Sequence, residues 1–167
     1  MWKEIMDKFS GHPAQREVVR LLLERGFRIN SQGRVVSGGI EIPHSQIARE
    51  VGVDRRIVDA TAQKILKDEM LRKIFQNIRS TPLLIDIAPL LNLGVIVIEP
   101  KNAEDRGILG DVATTIAKHG LSIRQAVSDD PYFTEDPKLK IVTDGPVSGE
   151  LIDALKRIPS VRGVRIY

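Results

Sequence analysis

The side chains that most often perform catalysis or bind metal ions are few in this sequence and lie far apart. The chain has no cysteine, and its three histidines, His12, His44 and His119, have no metal-ligand spacing. Neighbouring carboxylates occur at Asp129-Asp130 and Glu135-Asp136, in a proline-bounded stretch that is typical of a solvated surface loop rather than an acid–base pair. The sequence also lacks a Walker loop, a nucleophile elbow and a glycine-rich dinucleotide fingerprint. We therefore expect a protein that is not an enzyme and that has no metal and no cofactor.

Gly107 marks the position that is best suited to bind a small anionic group. An apolar helix is predicted directly after it, over residues 108–119, and Gly120 ends that helix. A glycine lets the backbone approach a ligand closely, and the unpaired amides at a helix start favour a carboxylate. The sequence therefore predicts a ligand loop centred on Gly107.

A second candidate site lies in the N-terminal half, where residues 47–58 resemble the core of a helix-turn-helix. Ala48 is small enough for two helices to approach closely, and Gly52 supplies the positive φ that ends the first helix sharply. Val53 is expected to fill the angle between the helices, and Val58 to anchor the second helix. In this motif the second helix lies in the major groove of DNA, with its N-terminal residues towards the base edges.

Cationic and amide side chains on that second helix are the expected DNA contacts. They are Arg55, Arg56, Gln63 and Lys64. Arginine suits guanine edges and phosphates because its planar guanidinium donates two parallel hydrogen bonds. Asp54 and Asp59 flank the arginines and weaken the local positive potential. A contact with another protein, or a plain solvated helix start, therefore stays open beside DNA binding.

The elements that must position this motif are predicted over residues 1–80. A short helix is expected over residues 2–9 and a longer helix over residues 13–25. Residues 27–42 are predicted to form a β-hairpin, which lies before the helix-turn-helix where a usual wing follows it. This arrangement predicts a mostly helical, winged-helix-like domain.

Two further helices follow the hairpin. Ser45 is expected to cap a helix over residues 46–51, and Asp54 a longer helix whose apolar pattern continues as far as Ile78. Residues 81–92 are predicted to be a linker. The alternative for the apolar stretch over residues 83–91, which contains Pro89, is a short helix packed between the two halves.

From residue 93 onward the apolar pattern changes to short strands alternating with helices. The predicted order is strand, helix, strand, strand, helix, strand. The expected ranges are 94–99, 108–119, 122–128, 139–143, 150–158 and 161–167. This order predicts a βαββαβ domain, so the chain as a whole belongs to the α+β class.

The C-terminal pattern resembles the ACT-domain family over essentially all of residues 93–167. The stretches that carry the resemblance are Asp105-Arg106-Gly107-Ile108-Leu109, Gly120-Leu121-Ser122-Ile123 and Ile158-Pro159-Ser160-Val161-Arg162-Gly163-Val164. Many members have Pro-Gly where this sequence has Arg106-Gly107, and the insertion over residues 101–104 is longer here. The resemblance implies a ferredoxin-like sensor domain that binds an amino acid and forms a homodimer.

The same resemblance implies which residues contact the amino acid. They are Asn102, Glu104, Asp105, Arg106, Gly107, Ile108 and Leu109 of one subunit, with Ser122 of its neighbour. Arg106 is expected to pair with the ligand carboxylate, and Glu104 or Asp105 with the ammonium group. The alternative for these side chains is that Asp105 caps the helix and Arg106 is solvated.

Composition and charge favour a soluble protein with a basic N-terminal half. Of 167 residues, 42% are hydrophobic and 28% are charged, as in ordinary globular domains. Residues 1–90 hold 15 Lys and Arg against 11 Asp and Glu, whereas residues 91–167 hold 10 against 11. The sequence shows no signal-peptide pattern, and no apolar run approaches the roughly 20 residues of a membrane helix. We therefore expect a cytoplasmic protein without a membrane partner.

These expectations together describe an amino-acid-responsive regulator. It is transcriptional if residues 1–80 bind DNA, and residues 93–167 bind the amino acid and form the homodimer. The alternative is a regulatory subunit that senses an amino acid and contacts a metabolic enzyme instead of DNA. Binding to DNA that weakens steeply with salt separates the two.

Overall fold

The computed structural model describes residues 2–167, which divide into two compact units. The first unit is Met1–Pro82 and the second is Leu83–Tyr167. Both units combine helices with an antiparallel sheet, in agreement with the expected α+β class. No helix within residues 2–167 has the length and apolar character needed to cross a membrane.

The described part of the first unit contains five helices and a small three-stranded sheet. The helices are α1 (Trp2–Asp7), α2 (Pro13–Arg25), α3 (His44–Val51), α4 (Arg55–Lys67) and α5 (Glu69–Asn77). The strands are β1 (Arg28–Ile29), β2 (Val35–Ser37) and β3 (Ile40–Ile42). They form an antiparallel sheet in the order β1-β2-β3, so the predicted hairpin is confirmed and is extended by a third strand.

The core of the first unit is built from apolar side chains of α1, α2, the sheet and the three later helices. The largest fully buried side chains are Ile5, Phe9, Leu22, Ile29, Ile65, Leu71 and Phe75. The helices contribute most of these buried side chains, at helical spacing, and β1 contributes Ile29. The small sheet is therefore stabilised by packing against the helices rather than by its own short strands.

The helix that was predicted to continue as far as Ile78 is interrupted at Asp68. This residue has an extended backbone, with φ −91° and ψ 121°, and it separates α4 from α5. Its carboxylate accepts a hydrogen bond from the Leu71 amide at 3.0 Å and forms an ion pair with Lys8, which directly follows α1. The N-terminal cap therefore starts a new helix in a new direction, and α5 buries Leu71 and Phe75 in the core.

The second unit has the predicted βαββαβ order. Its elements are β4 (Gly94–Pro100), α6 (Ile108–Lys118), β5 (Ile123–Ser128), β6 (Leu139–Thr143), α7 (Gly149–Lys156) and β7 (Val161–Ile166). The sheet is antiparallel throughout, in the order β5-β6-β4-β7, which is the ferredoxin-like order expected from the sequence. Strand β4 is central, and β5 and β7 form the two edges.

One face of this sheet packs against both helices. Ile96 and Ile98 of β4 and Ile141 of β6 are fully buried in this layer. They meet the apolar sides of α6 and α7, including Val112 and Leu151. This layer is the main core of the second unit.

The opposite face of the sheet is partly covered by the segment that was predicted to be a linker. Residues 84–93 pack there, and Ala88, at the start of a 3₁₀ turn (Ala88–Leu91), is fully buried against Val95, Val97 and Val142. The Leu84 amide donates a hydrogen bond to Gln125 Oε1 at 2.8 Å. The alternation of β4 places valines on this face, and these valines need an apolar cover. Residues 83–92 are therefore part of the second unit.

Candidate functional site

The turn between α3 and α4 has the geometry expected of residues 47–58. Gly52 ends α3 with φ 75°, and the Val53 amide donates to the Ala48 carbonyl at 2.9 Å. Asp54 begins α4 by accepting a hydrogen bond from the Arg56 amide at 2.8 Å, as predicted. Ala48 and Val58 are buried in the angle between the two helices. The turn therefore fixes the two helices as one rigid corner.

The start of α3 differs from the prediction. Ser45 is not the N-terminal cap, because α3 begins at His44, two residues earlier than predicted, and Pro43 occupies the cap position. The cap has no side-chain hydrogen bond. Proline suits this place because its fixed φ is compatible with leading a chain into a helix.

One face of α4 is exposed and carries polar or small side chains. Its members are Arg56, Ala60, Gln63 and Lys67, at spacings of four, three and four residues. Such spacing places them on one side of a helix. The opposite side buries Val58, Ala62 and Ile65 in the core. We refer to the exposed set as the α4 face.

The structure does not bring the four predicted DNA contacts together on this face. Arg56 and Gln63 belong to the α4 face, whereas Arg55 lies beside it, with its Nε 3.6 Å from Asp59 Oδ2. Lys64 is turned away, and its Nζ lies 4.7 Å from the centre of the buried Phe9 ring. Lys64 was predicted as a DNA contact, and in the structure a cation–π contact holds its ammonium group against Phe9, which follows α1.

Sequence reasoning missed Lys67 and Ala60. The spacing of Arg56 and Gln63 already indicated Lys67, because a residue four positions after Gln63 lies on the same side of the helix. Lys67 is exposed at that position.

The turn between β1 and β2 borders the α4 face. A Cβ placed on Gly33 would lie 3.0 Å from Gln63 Nε2. Asn30 holds this turn, because its Oδ1 accepts hydrogen bonds from the amides of Gln32 at 3.0 Å and Arg34 at 2.9 Å. The β-hairpin that was expected as a wing therefore lies beside the exposed side of α4.

The loop before α6 has the bend predicted at Gly107. Gly107 has φ 90° and precedes the helix without any side-chain cap. The first amide that bonds within the helix is that of Asp111, which donates to the Gly107 carbonyl at 2.9 Å. The amides of the three residues between them have no acceptor inside the helix. This helix start is suited to a carboxylate or another small anion.

Hydrogen bonds within the loop fix its shape. Asn102 Oδ1 accepts from the Glu104 amide at 3.1 Å, and Asn102 Nδ2 donates to Asp105 Oδ1 at 3.1 Å. Asp105 therefore does not cap the helix. The Lys101 amide donates to the Ser160 carbonyl at 2.9 Å, which ties the loop to the residues before β7.

Two pockets lie on either side of this loop. One, of about 180 Å³, is lined by Asp105, Gly107, Ile108 and Leu109 together with Ser128 and Lys138. We call it the loop pocket. The other, of about 310 Å³, is lined by Asn102 and Glu104 together with residues of the 131–137 segment and Arg162. Arg106 is exposed and lines neither pocket.

Ser122 lies at the far end of β5 from the loop pocket. The register pairs Ile123 with Thr143 at one end of the strand and Ser128 with Leu139 at the other. The Ser122 amide donates to Asp144 Oδ1 at 2.8 Å. Because the loop pocket is at the Ser128 end, a contact of Ser122 with the same ligand requires a second copy of the chain.

The carboxylates that follow β5 form ion pairs rather than an acid–base pair. Asp136 accepts a hydrogen bond from Arg162 at 2.9 Å and lies 3.4 Å from Lys138 Nζ, and these two cations lower its pKa, with Arg162 the larger cause. Asp129 Oδ1 lies 2.7 Å from Lys140 Nζ. These contacts fasten the segment between β5 and β6 to the sheet beside both pockets. Within residues 2–167, no group of three or more His, Asp or Glu side chains is arranged to hold a metal ion.

No family model matches the chain, and neither does any curated protein. Solved structures to which the chain is similar include a transcriptional regulatory protein of the AsnC family from Pyrococcus furiosus. It is 14% identical, the alignment covers 93% of this chain and 86% of that one, and the TM-score is 0.30. An AsnC-family transcriptional regulator from Agrobacterium tumefaciens is 16% identical, with 93% and 87% covered and a TM-score of 0.27. Both neighbours are described as transcriptional regulators.

Proposed function

We propose that the chain is an amino-acid-responsive transcriptional regulator, in which the first unit is a helix-turn-helix module that binds DNA. The observation that carries this proposal is the α4 face, which follows a rigid turn and exposes Arg56, Gln63 and Lys67 on one side of a helix. Guanidinium, amide and ammonium groups are the donors that proteins use for base edges and phosphates. Ala60 is small and lets the helix approach a groove closely.

The second unit is proposed to be an ACT-like domain that binds a small amino acid in the loop pocket. The amides after Gly107 suit the ligand carboxylate, and the Asp105 carboxylate suits its ammonium group. A volume of about 180 Å³ favours a small side chain. Arg106 and Glu104 lie outside this pocket. The amides therefore take the carboxylate contact that was expected of Arg106, and Asp105 rather than Glu104 takes the ammonium contact.

A homodimer formed through the second unit is part of the proposal. Strand β7 pairs only with β4 and is an edge of the sheet. Ile166 and Tyr167 at its end are 45% and 68% exposed. An apolar edge strand is suited to pair with a second copy. The amino acid then changes DNA binding only if it favours one arrangement of the dimer over another.

DNA binding is tested by fluorescence anisotropy of a labelled duplex of about 30 base pairs at increasing NaCl concentration. The logarithm of the affinity is expected to fall linearly with the logarithm of salt, and Lys67→Gln to reduce the slope by about 1. Lys73→Gln is the matched control, because Lys73 is on α5 and pairs with Glu69 at 2.7 Å. Absence of binding at low salt supports the enzyme-contacting regulatory subunit instead.

Ligand binding is tested by the thermal unfolding of the protein with each common amino acid. A ligand present at 100 times its Kd stabilises the folded form by about 2.7 kcal/mol. Gly107→Val is expected to abolish the shift, because a branched side chain is strained at φ 90°. Gly110→Ala is the control, because Gly110 lies inside α6 with open space around its Cα. A chain whose melting temperature no amino acid changes has no such site.

A further inference from the structure

His44, the first residue of α3, is buried and joins α3 to α4. Its side chain is 6% exposed, and Nδ1 lies 2.6 Å from Asp59 Oδ1. A carboxylate only accepts hydrogen bonds, so Nδ1 carries the hydrogen and donates it. Nε2 is buried and has no hydrogen-bond partner among residues 2–167. One hydrogen bond therefore fixes the ring, and that bond crosses from the first helix of the corner to the second.

Asp59 is shared between His44 and Arg55. Its Oδ2 lies 3.6 Å from Arg55 Nε, which is one helical turn away. That distance is too long for a hydrogen bond, and the Arg55 side chain is 63% exposed. A loose ion pair between groups this exposed contributes little. The short bond from His44 is consequently the interaction that holds the Asp59 carboxylate.

We propose that His44 is a positioning residue that keeps Arg55 free to bind a phosphate of the DNA backbone. The inference rests on the proposed DNA binding by the first unit. Without the His44 donor, Asp59 turns to Arg55 and forms a bidentate pair, with which a phosphate must compete. With His44 present, Arg55 can leave Asp59, because the half-buried carboxylate keeps one hydrogen bond and is not left unsatisfied.

The test uses the full chain and a labelled duplex of random sequence, about 30 base pairs long. His44→Leu removes the donor and is expected to weaken binding by a factor on the order of five and to reduce the salt slope by about 1, as Arg55→Gln does. His44→Asn is the rescue variant, because its side-chain amide places a donor near the position of Nδ1. Asp59→Asn added to His44→Leu is expected to restore binding, and His44→Leu added to Arg55→Gln is expected to change nothing further.

Two matched controls separate positioning from changes in charge or stability. His12→Leu removes the other histidine of the first unit. Glu24→Gln removes one negative charge from an exposed pair at the same spacing, since Arg20 Nε lies 2.7 Å from Glu24 Oε1. Neither control is expected to change the salt slope.

Equal binding by His44→Leu and His12→Leu overturns the inference, and so does the lack of recovery on adding Asp59→Asn. If His44→Leu does not fold, Asp59→Asn decides alone. Because His44 already keeps Asp59 from competing for Arg55, this variant must bind no more tightly than Glu24→Gln, and a gain that vanishes in the Arg55→Gln background overturns the inference. A wild-type chain that binds no duplex at low salt refutes DNA binding itself. Wild-type binding with an unaffected His44→Leu refutes only the role of His44.

Discussion

Lys64 and Lys67 show how two identical side chains on one helix acquire different roles. They lie three residues apart on α4, yet Lys64 contacts the Phe9 ring and Lys67 is exposed on the α4 face. The sequence identified the helix and its cations. It did not identify the contact with Phe9, because that contact depends on how the turn after α1 packs against α4 and involves residues 55 positions apart in the chain.

Replacement of each lysine by glutamine is expected to separate these roles. Lys64→Gln removes a cation–π contact and lowers the free energy of unfolding by about 0.5–1 kcal/mol, with little effect on DNA affinity. Lys67→Gln leaves stability unchanged and weakens DNA binding. Chemical denaturation and duplex anisotropy measure the two effects. Loss of DNA affinity in both variants to the same extent contradicts this division.

The residues of the loop pocket show a similar limit. The bend at Gly107 was predicted, because a glycine before an apolar helix is a local signal. Ser128 and Lys138 were not, because Ser128 ends β5 and Lys138 directly precedes β6, about 20 to 30 residues further along the chain. Local sequence therefore predicts the backbone of the loop, and the pairing of β5 with β6 supplies its other wall.

At the scale of elements, Asp68 has two interactions that a single substitution can separate. It caps α5 through the Leu71 amide and forms an ion pair with Lys8. The Lys8 hydrogen bond, followed by the backbone amide of Leu71, lowers the pKa of Asp68 below its ordinary value of 3.8. The ionised form is consequently favoured in the folded protein.

Asp68→Asn is expected to keep the cap and lose the ion pair, whereas Asp68→Ala loses both. The alanine variant is expected to lose about 1 kcal/mol more than the asparagine variant, since asparagine caps helices as well as aspartate does. The stability that ionised Asp68 adds is fully present above pH 3.8 and is lost as the pH falls through the lowered pKa. Thermal unfolding from pH 7 to pH 2 measures both effects. A wild-type advantage over Asp68→Asn that persists at pH 2 contradicts this account.

The order of the helices and strands was predictable from the sequence. The break between α4 and α5 and the packing of residues 83–92 on one sheet face were not. Alternating apolar residues and turn-forming glycines gave the βαββαβ order and the corner at Gly52. The break at Asp68 has no glycine or proline to mark it. The segment over residues 83–92 looked like a linker because Pro89 interrupts any regular pattern, although its apolar residues cover a sheet face.

For the whole molecule, the exposed edge at β7 is where association of two copies is expected. Ile166→Glu places a charge on this edge and is expected to convert a dimer into a folded monomer. Ile40→Glu is the matched control, because Ile40 is 75% exposed in the first unit. Sedimentation equilibrium gives the mass of each variant. A wild-type monomer, or a dimer that Ile166→Glu leaves intact, rules out this edge as the contact.

The packing of Ala88 against Val95, Val97 and Val142 limits where the second unit can be separated from the first and joined to another protein. When the second unit is joined to another protein, this face of its sheet stays buried only if the joint falls before Leu83. A joint ten residues later exposes Val95, Val97 and Val142 to water. It also leaves the apolar residues 83–92 attached to the protein from which the unit was taken. A gene fusion that reuses the second unit should therefore begin no later than Leu83 and keep residues 83–92, with Pro89, together with the strands.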